Sequence, residues 1–201
     1  TIANLFDGCT ALETVPAGIF DNLKAVTTVT AAFQNSGIKT LPDALFANMD
    51  KATVFSTSFR NCDEMVEAPH NLFGSSATAI KMQYMFENCD KLTTIPSDLM
   101  GAPSKDNLEL NYMFQNCKAL EAVPAGLFKG CKVKSYSMTF AGCSSLKTVG
   151  SESIDCAGKS NGSVANLFLN CTALETIPAD FMINAEAMTS LLTWGEYEIT
   201  E

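Results

Sequence analysis

The sequence predicts an α/β repeat fold, a single right-handed solenoid of short parallel strands and short helical or 3-10 turns. A phenylalanine opens the same phrase seven times, at intervals of 26 to 28 residues. Apolar residues recur at fixed distances from that phenylalanine, and a proline follows in six of the seven phrases. A unit of this length cannot bury its apolar face alone, so successive turns must stack on one another.

The core is predicted from columns of apolar residues that repeat once per turn. The seven phenylalanines, hereafter the anchors, head these columns, and further apolar columns stand four residues before, about six after and about nine after each anchor. The anchors are Phe6, Phe33, Phe59, Phe86, Phe114, Phe140 and Phe168. Within a column size varies more than polarity, as a stacked hydrophobic core requires.

Two strands are predicted in each turn. Residues 80–84 and 108–112 alternate apolar and polar side chains just before an anchor, which is strand periodicity. The second strand ends at the proline column, because proline cannot donate to a ladder. Stacked turns would pair these strands into parallel sheets about 4.8 Å apart.

The turn around each anchor is predicted from the residue two positions later, which is always Gly or Asn. These residues tolerate positive φ, so we expect a short helical or 3-10 turn closed by a left-handed residue. An asparagine ladder that bonds the backbone of the next turn is a second interpretation, and the two are compatible. The column comprises Gly8, Asn35, Asn61, Asn88, Asn116, Gly142 and Asn170.

The repeat covers almost the whole chain, so residues 1–201 are expected to form one solenoid domain of about seven repeats. Residues 183–201 lack the full phrase and carry Trp194. We interpret them as a degenerate half-repeat that caps the C-terminal end of the core.

The composition excludes several functions. A formal net charge of -9 argues against nucleic acid and anionic membrane surfaces as partners, since both need basic patches. No apolar run reaches the roughly 20 residues of a membrane span, so no direct membrane insertion is expected. The chain opens inside a repeat without a signal peptide, so we expect that its address lay upstream. We also expect a monomer.

The eight cysteines are predicted to be buried thiols that pack as small hydrophobes. Six occupy one repeat column, in which Ser36 takes the place of a cysteine, and this favours a packing role over a pairing code. Cys131 and Cys156 stand outside that column in adjacent turns, and a disulfide between them stays open as an alternative. No C-x-x-C motif or Cys/His cluster predicts a metal site.

Enzyme signals are absent from the sequence. His70 is the only histidine, and it falls at a loop position filled by small residues in other turns. No nucleophile elbow, phosphate loop or dinucleotide fingerprint occurs. We therefore expect no catalytic residues, no cofactor and no metal.

The repeated phrase is Phe-x-x-Cys-x-x-Leu-x-x-Val/Ile-Pro, and two of its copies begin with Tyr84-Met85-Phe86 and Tyr112-Met113-Phe114. This phrase resembles the BspA-like leucine-rich repeats of bacterial surface proteins. The resemblance covers about residues 1–192. It implies a right-handed leucine-rich-repeat solenoid in a secreted or cell-surface bacterial protein that serves adhesion or partner binding. It implies no catalysis. The chain departs from the pattern where Gly150 replaces the proline.

The predicted binding surface is the polar stripe that flanks the apolar column before each anchor. Its central residues are Lys81, Gln83, Glu109, Asn111, Ser135 and Ser137. Concave sheet faces of solenoids present such stripes to ligands. The sequence thus predicts a non-enzymatic module that binds an unidentified protein or glycan. The alternative is a passive spacer within a larger surface protein, which several exposed aromatic residues on the stripe would argue against.

Overall fold

A computed structural model describes residues 1–74, 81–101, 106–157 and 163–185 of the 201-residue chain. Six short strands occur in this part of the chain. They are β1 (Asp106–Glu109), β2 (Ala122–Val123), β3 (Lys132–Ser135), β4 (Thr148–Val149), β5 (Ile154–Asp155) and β6 (Met182–Ile183). They pair in parallel as β1 with β3, β2 with β4 and β5 with β6. The expected short parallel strands are confirmed. Where the structure is described, no helix is long and apolar enough to span a membrane.

The pairing continues beyond the named strands as single bridges, one residue per turn. In a first ladder, each bridge joins the residue five positions before one anchor to its equivalent in the next turn. This ladder runs through Thr28, Val54, Lys81, Glu109, Ser135 and Ser163. A second ladder before the proline column includes the β2–β4 pair and the bridge from Thr148 to Thr176. The turns therefore stack in register along most of the described chain.

The backbone around each anchor is bonded to the following turn. The amide of Phe59 donates to the carbonyl of Met85 at 2.9 Å, and the amide of Asn61 donates to that of Glu87 at 2.9 Å. The same pattern recurs at the other anchors. Along the chain, Cys62 donates to the carbonyl of Phe59 at 3.2 Å, which closes a local turn over the anchor. These turns satisfy backbone groups that the packed core shields from water.

The left-handed residue predicted after each anchor is present. Asn35, Asn61, Asn88, Asn116 and Asn170 have φ between 55° and 60°, and Gly8 and Gly142 have φ of 73° and 76°. Within the described residues, however, the anchors lie in successive hydrogen-bonded turns rather than in a helix. The helical turns therefore remain a prediction, as does the right hand of the solenoid.

The strand predicted over residues 108–112 is wrong in its C-terminal half. Strand β1 ends at Glu109, and Tyr112 has a φ of 62°. Tyr84 likewise has a φ of 59°, so the segment over 80–84 reduces to the single bridge at Lys81 among the described residues. A second left-handed column thus stands two residues before each anchor. Its residues include Ala31, Thr57 and Met138, whose types give no sign of this conformation.

The core is a stack of anchor rings. The five anchors from Phe33 to Phe140 are fully buried, whereas Phe6 and Phe168 in the end turns are only partly buried. The ring centroids of successive anchors are 5.1 to 5.8 Å apart, with interplanar angles of 24° or less. A second row of phenylalanines lies beside this stack: Phe20 and Phe46 contact anchor rings, and Phe73 contacts Phe46. The core columns predicted from the sequence are therefore buried along the central turns.

Gly150 stands where the other turns have proline, and both a hydrogen bond and a close approach require glycine here. Its amide donates to the carbonyl of Val123 at 2.8 Å, a bond that proline cannot make. A Cβ at this position would lie 2.3 Å from the backbone nitrogen of Ala125. The two turns approach too closely here for any side chain at residue 150.

Asp155, at the end of β5, is a buried carboxylate with a full set of partners. Its Oδ2 accepts the amide of Gly130 at 2.8 Å, and its Oδ1 accepts the amide of Ala157 at 2.9 Å and the Asn184 side chain at 2.7 Å. The Tyr136 hydroxyl donates to the Asp155 carbonyl at 2.9 Å. This residue therefore ties three turns together.

The column thiols are buried as predicted, apart from the exposed Cys9 of the first turn. Each buried thiol of the repeat column also donates a hydrogen bond to the carbonyl of the anchor in the preceding turn, so these thiols do more than fill space. Cys117 donates to Phe86 at 3.2 Å and Cys143 to Phe114 at 3.2 Å. Ser36 fits this column because a hydroxyl can take the same place. No disulfide occurs among the cysteines, all of which are described, and Cys131 and Cys156 are not bridged.

We expect the column thiols to be unreactive in the folded protein and titratable after denaturation. Burial raises the pKa of Cys62 from 9.0 to about 11 and raises that of Cys117 well above its usual value. Thiol titration in denaturant without reductant should find at least six groups, and far fewer in the native state. Because the pKa of Cys62 is higher in the folded than in the unfolded protein, the contribution of this thiol to the free energy of unfolding should be complete below pH 9. It should be lost as the pH rises toward about 11. Three or four disulfides would contradict the packing interpretation.

The predicted C-terminal cap, residues 183–201 with Trp194, lies almost entirely outside the described residues and stays a prediction. At this end β5 pairs with β6, and the backbone amide of Cys156, the residue after β5, donates to the Ile183 carbonyl at 2.9 Å. The last described turn is thus joined to its neighbour.

Candidate functional site

The six residues predicted to bind lie in two adjacent columns of the stack. Lys81, Glu109 and Ser135 belong to the bridged ladder. Gln83, Asn111 and Ser137 follow two residues later in their turns, and each accepts a backbone amide from the preceding turn through its carbonyl. The structure therefore brings these six residues together, and we name them the ladder face.

Two side chains of the ladder face, Gln83 and Glu109, are bonded to each other and to neighbouring residues. Gln83 Nε2 donates to Glu109 Oε2 at 2.6 Å, and Ser56 donates to Gln83 Oε1 at 3.1 Å. Lys134 lies 3.4 Å from the other Glu109 oxygen. The Oδ1 atom of Asn111 is buried and accepts no hydrogen bond from the described residues. The hydrogen-bonding capacity of Gln83 and Glu109 is therefore used in part within the protein.

A pair of half-buried tyrosines adjoins the ladder face. The rings of Tyr84 and Tyr112 are parallel, with centroids 4.6 Å apart and an interplanar angle of 3°. The Arg60 guanidinium lies 5.9 Å from the Tyr84 centroid and pairs with Glu87 at 2.5 Å. Burial, with the neighbouring Tyr112 as a smaller cause, raises the pKa of Tyr84. The left-handed backbone at both tyrosines takes them out of the strand and places them beside the stripe.

A second candidate is an open polar groove of about 530 Å³ on the side of the left-handed asparagines. We name it the asparagine groove, and it spans four consecutive turns. Its lining residues are Asn35, Asn61, Asp63, Asn88, Asp90 and Lys118. Its walls are therefore made of amides, carboxylates and one ammonium group.

The amides form a side-chain ladder along the groove. Asn116 donates to Asn88 at 3.0 Å, Asn88 to Asn61 at 2.8 Å, and Asn61 to Asn35 at 2.7 Å. The series ends on Asp7, which accepts from Asn35 at 2.9 Å. At the other end Gly142 takes the place of the asparagine, and a Cβ there would lie 2.2 Å from Asn116 Oδ1, so a side chain would require Asn116 to shift. The predicted ladder exists, but it joins side chain to side chain rather than to backbone.

Two carboxylates and a lysine occupy equivalent positions in three successive turns. Lys118 Nζ lies 2.8 Å from Asp90 Oδ2, while Asp90 Oδ1 is buried and accepts no hydrogen bond from the described residues. Asp63, in the turn before, has a raised pKa, caused first by burial and then by the nearby Asp90 charge. No motif in the sequence pointed to these residues. The signal available was their common position four residues after an anchor.

His70 is exposed, with Nδ1 2.8 Å from Asp98 Oδ1 and its backbone amide bonded to Asp43. The described residues contain no group of three or more His, Cys, Asp or Glu side chains able to hold a metal ion. The two surfaces with coherent chemistry in this part of the chain are the ladder face with its tyrosines and the asparagine groove.

Solved structures similar to this chain are leucine-rich repeat proteins of bacteria, the class that the phrase resembles. One is from Bacteroides ovatus, at 15% identity and a TM-score of 0.31, and it matches 82% of this chain but 34% of its own length. Another is a leucine-rich cell surface protein from Faecalibacterium prausnitzii, at 15% identity and a TM-score of 0.31. The match covers 87% of this chain and 60% of that protein. A third is a leucine-rich repeat protein of T. pallidum, at 15% identity and a TM-score of 0.31. The match covers 81% of this chain and 77% of that protein.

The chain thus spans about a third of the Bacteroides ovatus protein. No protein-family model matches the chain. No curated protein matches it either. At TM-scores this low the likeness carries no argument about fold or function, so both rest on the residues of this chain.

Proposed function

We propose that the protein is a non-enzymatic interaction module of a secreted or cell-surface bacterial protein, and that it binds a protein partner through the ladder face. The observation that carries the proposal is the stacked Tyr84–Tyr112 pair beside that face. Several exposed aromatic residues on the stripe would separate a binding surface from a passive spacer, and the two half-buried tyrosines beside it meet this condition in part. The tyrosine pair makes the binding interpretation the better supported of the two.

The chemistry of this surface fits a protein partner better than a glycan. Tyrosine and arginine are enriched at the centres of protein interfaces, where rigid rings provide contact area at low entropic cost. Tyr84, Tyr112 and Arg60 supply these types in neighbouring turns. Beside them, Ser56, Gln83 and Glu109 form a bonded series of side chains whose positions are set before a partner arrives. A binding surface of this kind loses little conformational freedom on association.

The test is a binding screen of the 201-residue protein against immobilised extracellular matrix proteins and glycans, followed by two variants. The first changes Lys81, Gln83, Glu109 and Asn111 to alanine, and the second changes Tyr84 and Tyr112 to alanine. We expect both to weaken binding to the same partner by about tenfold or more. The matched control, Glu64→Ala with Lys91→Ala, removes an exposed ion pair from the same region and should bind normally.

Two outcomes would change this assignment. Equal binding by the wild type and both face variants would place the contact surface elsewhere on the molecule. If the isolated protein binds none of the matrix proteins while its parent protein does, the spacer interpretation is correct. Circular dichroism of each variant separates loss of contact from loss of fold.

A further inference from the structure

We propose that the asparagine groove is a second, independent binding site, and that its ligand is a neutral saccharide recognised through its hydroxyl groups. The groove is a different surface from the ladder face. It is lined by Asn35, Asn61, Asp63, Asn88, Asp90 and Lys118, which come from four turns. Its length along the stack suits an extended ligand that contacts equivalent positions in successive turns.

The amide ladder leaves capacity for a ligand. A carboxamide carries two N–H donors and an oxygen with two lone pairs. In the ladder, Asn61 and Asn88 each donate one N–H to the preceding turn and accept one from the following turn. One donor and one acceptor site therefore remain on each amide. The result is a regular row of alternating donors and acceptors in fixed positions.

The Asp63 carboxylate supplies unused acceptors beside this row, because it is exposed. Asp90 contributes less, since its Oδ2 is bonded to Lys118 and its Oδ1 is shielded from solvent and therefore from a ligand in the groove. Asp63 lies in the same groove and accepts no hydrogen bond from the described chain. Adjacent hydroxyls of a sugar ring can therefore bond to a carboxylate and an amide together.

The charge pattern selects a neutral ligand. Asp63 and Asp90 repel uronate or sulfated sugars, whereas Lys118 lies 2.8 Å from Asp90 and competes with a metal ion or a basic peptide for the same oxygen. A hydroxyl group both donates and accepts, as do the asparagine amides. Neutral polyhydroxylated chains are the class that meets each lining residue with a complementary group.

The experiment measures binding of defined hexasaccharides of glucose, mannose, xylose and N-acetylglucosamine to the whole protein by NMR. The side-chain amide signals of Asn61 and Asn88 should shift with one of these probes at concentrations up to roughly 10 mM. Asn88→Gly keeps a residue that tolerates the left-handed backbone and removes the amide, and Asp63→Asn keeps the shape and removes the charge. Each should raise the dissociation constant about tenfold or more.

Asn170→Gly is the matched control, because it makes the same change in the same column outside the groove and should leave binding unchanged. If no hexasaccharide shifts these amide signals, the proposal is wrong. It is also overturned if calcium alone or hexalysine shifts them while the sugars do not.

Because Asp63 is exposed, a normal thermal transition is expected for Asp63→Asn, so an effect on binding can be assigned to the groove. Tyr84→Ala with Tyr112→Ala should leave sugar binding intact, which separates this site from the ladder face.

Discussion

Replacing Phe114 with alanine is expected to lower the free energy of unfolding by about 3–5 kcal/mol, the usual cost of truncating a buried aromatic residue. Its ring is fully buried and lies 5.3 Å from that of Phe86 and 5.5 Å from that of Phe140. Truncation would leave a cavity in the middle of the stack. The neighbouring turns cannot close this cavity without breaking the hydrogen bonds that hold them in register.

Urea unfolding followed by circular dichroism provides the measurement, with Phe168→Ala as the matched control. Phe168 occupies the same column but is only partly buried in the last full turn, so its loss should cost clearly less. Equal costs at the two positions would contradict a continuous core in which burial increases from the ends to the middle. Phe86→Ala should resemble Phe114→Ala, because both rings have an anchor ring on each side.

Replacing Asp155 with alanine should destabilise the protein by about 3 kcal/mol, although it changes no apolar contact. The substitution removes the acceptor for the amides of Gly130 and Ala157 and for the Asn184 side chain. Hydrogen bonds to a charged acceptor each contribute roughly 1.5–3 kcal/mol, and a buried donor left unpaired carries its own penalty. The effect extends over three turns because one carboxylate serves all of them.

The control for this experiment is Asp98→Ala, which removes an exposed carboxylate that contacts only His70 among the interactions described. Its effect should stay within about 0.5 kcal/mol, as for most surface substitutions. Asp155→Asn should be intermediate, because the amide retains one acceptor oxygen. An Asp155→Ala variant as stable as the wild type would show that water satisfies these amides, and that the carboxylate is not a link between turns.

The sequence was sufficient to predict the stack, because a stacked core imposes the same demand in every turn. The anchors, the buried thiols and the left-handed asparagines all follow from columns in which one physical requirement repeats. The left-handed column two residues before each anchor could not be predicted in this way. At Tyr84 and Tyr112 the conformation is imposed by the hydrogen bonds to the next turn and not by the residue type.

The candidate sites could be predicted only in part. Periodicity placed Lys81, Gln83 and Glu109 on one face, and the structure brings them together. It gave no indication that Gln83 and Glu109 would bond to each other, because side-chain partners depend on the stagger between turns. The groove was missed for the same reason. Asp63, Asp90 and Lys118 share a column, but their types differ, and only the stacked geometry shows that they adjoin the amides.

The direction of the hydrogen bonds between turns gives the stack a polarity. Around the anchors the donor belongs to the earlier turn, as in Phe86 to Met113, whereas before the proline column it belongs mostly to the later turn, as in Lys147 to Glu121. A duplicated turn inserted in the same orientation meets donors with acceptors on both of its sides. The chain can therefore lengthen by whole units without redesign, and each added unit extends the amide row by one step of a one-dimensional lattice.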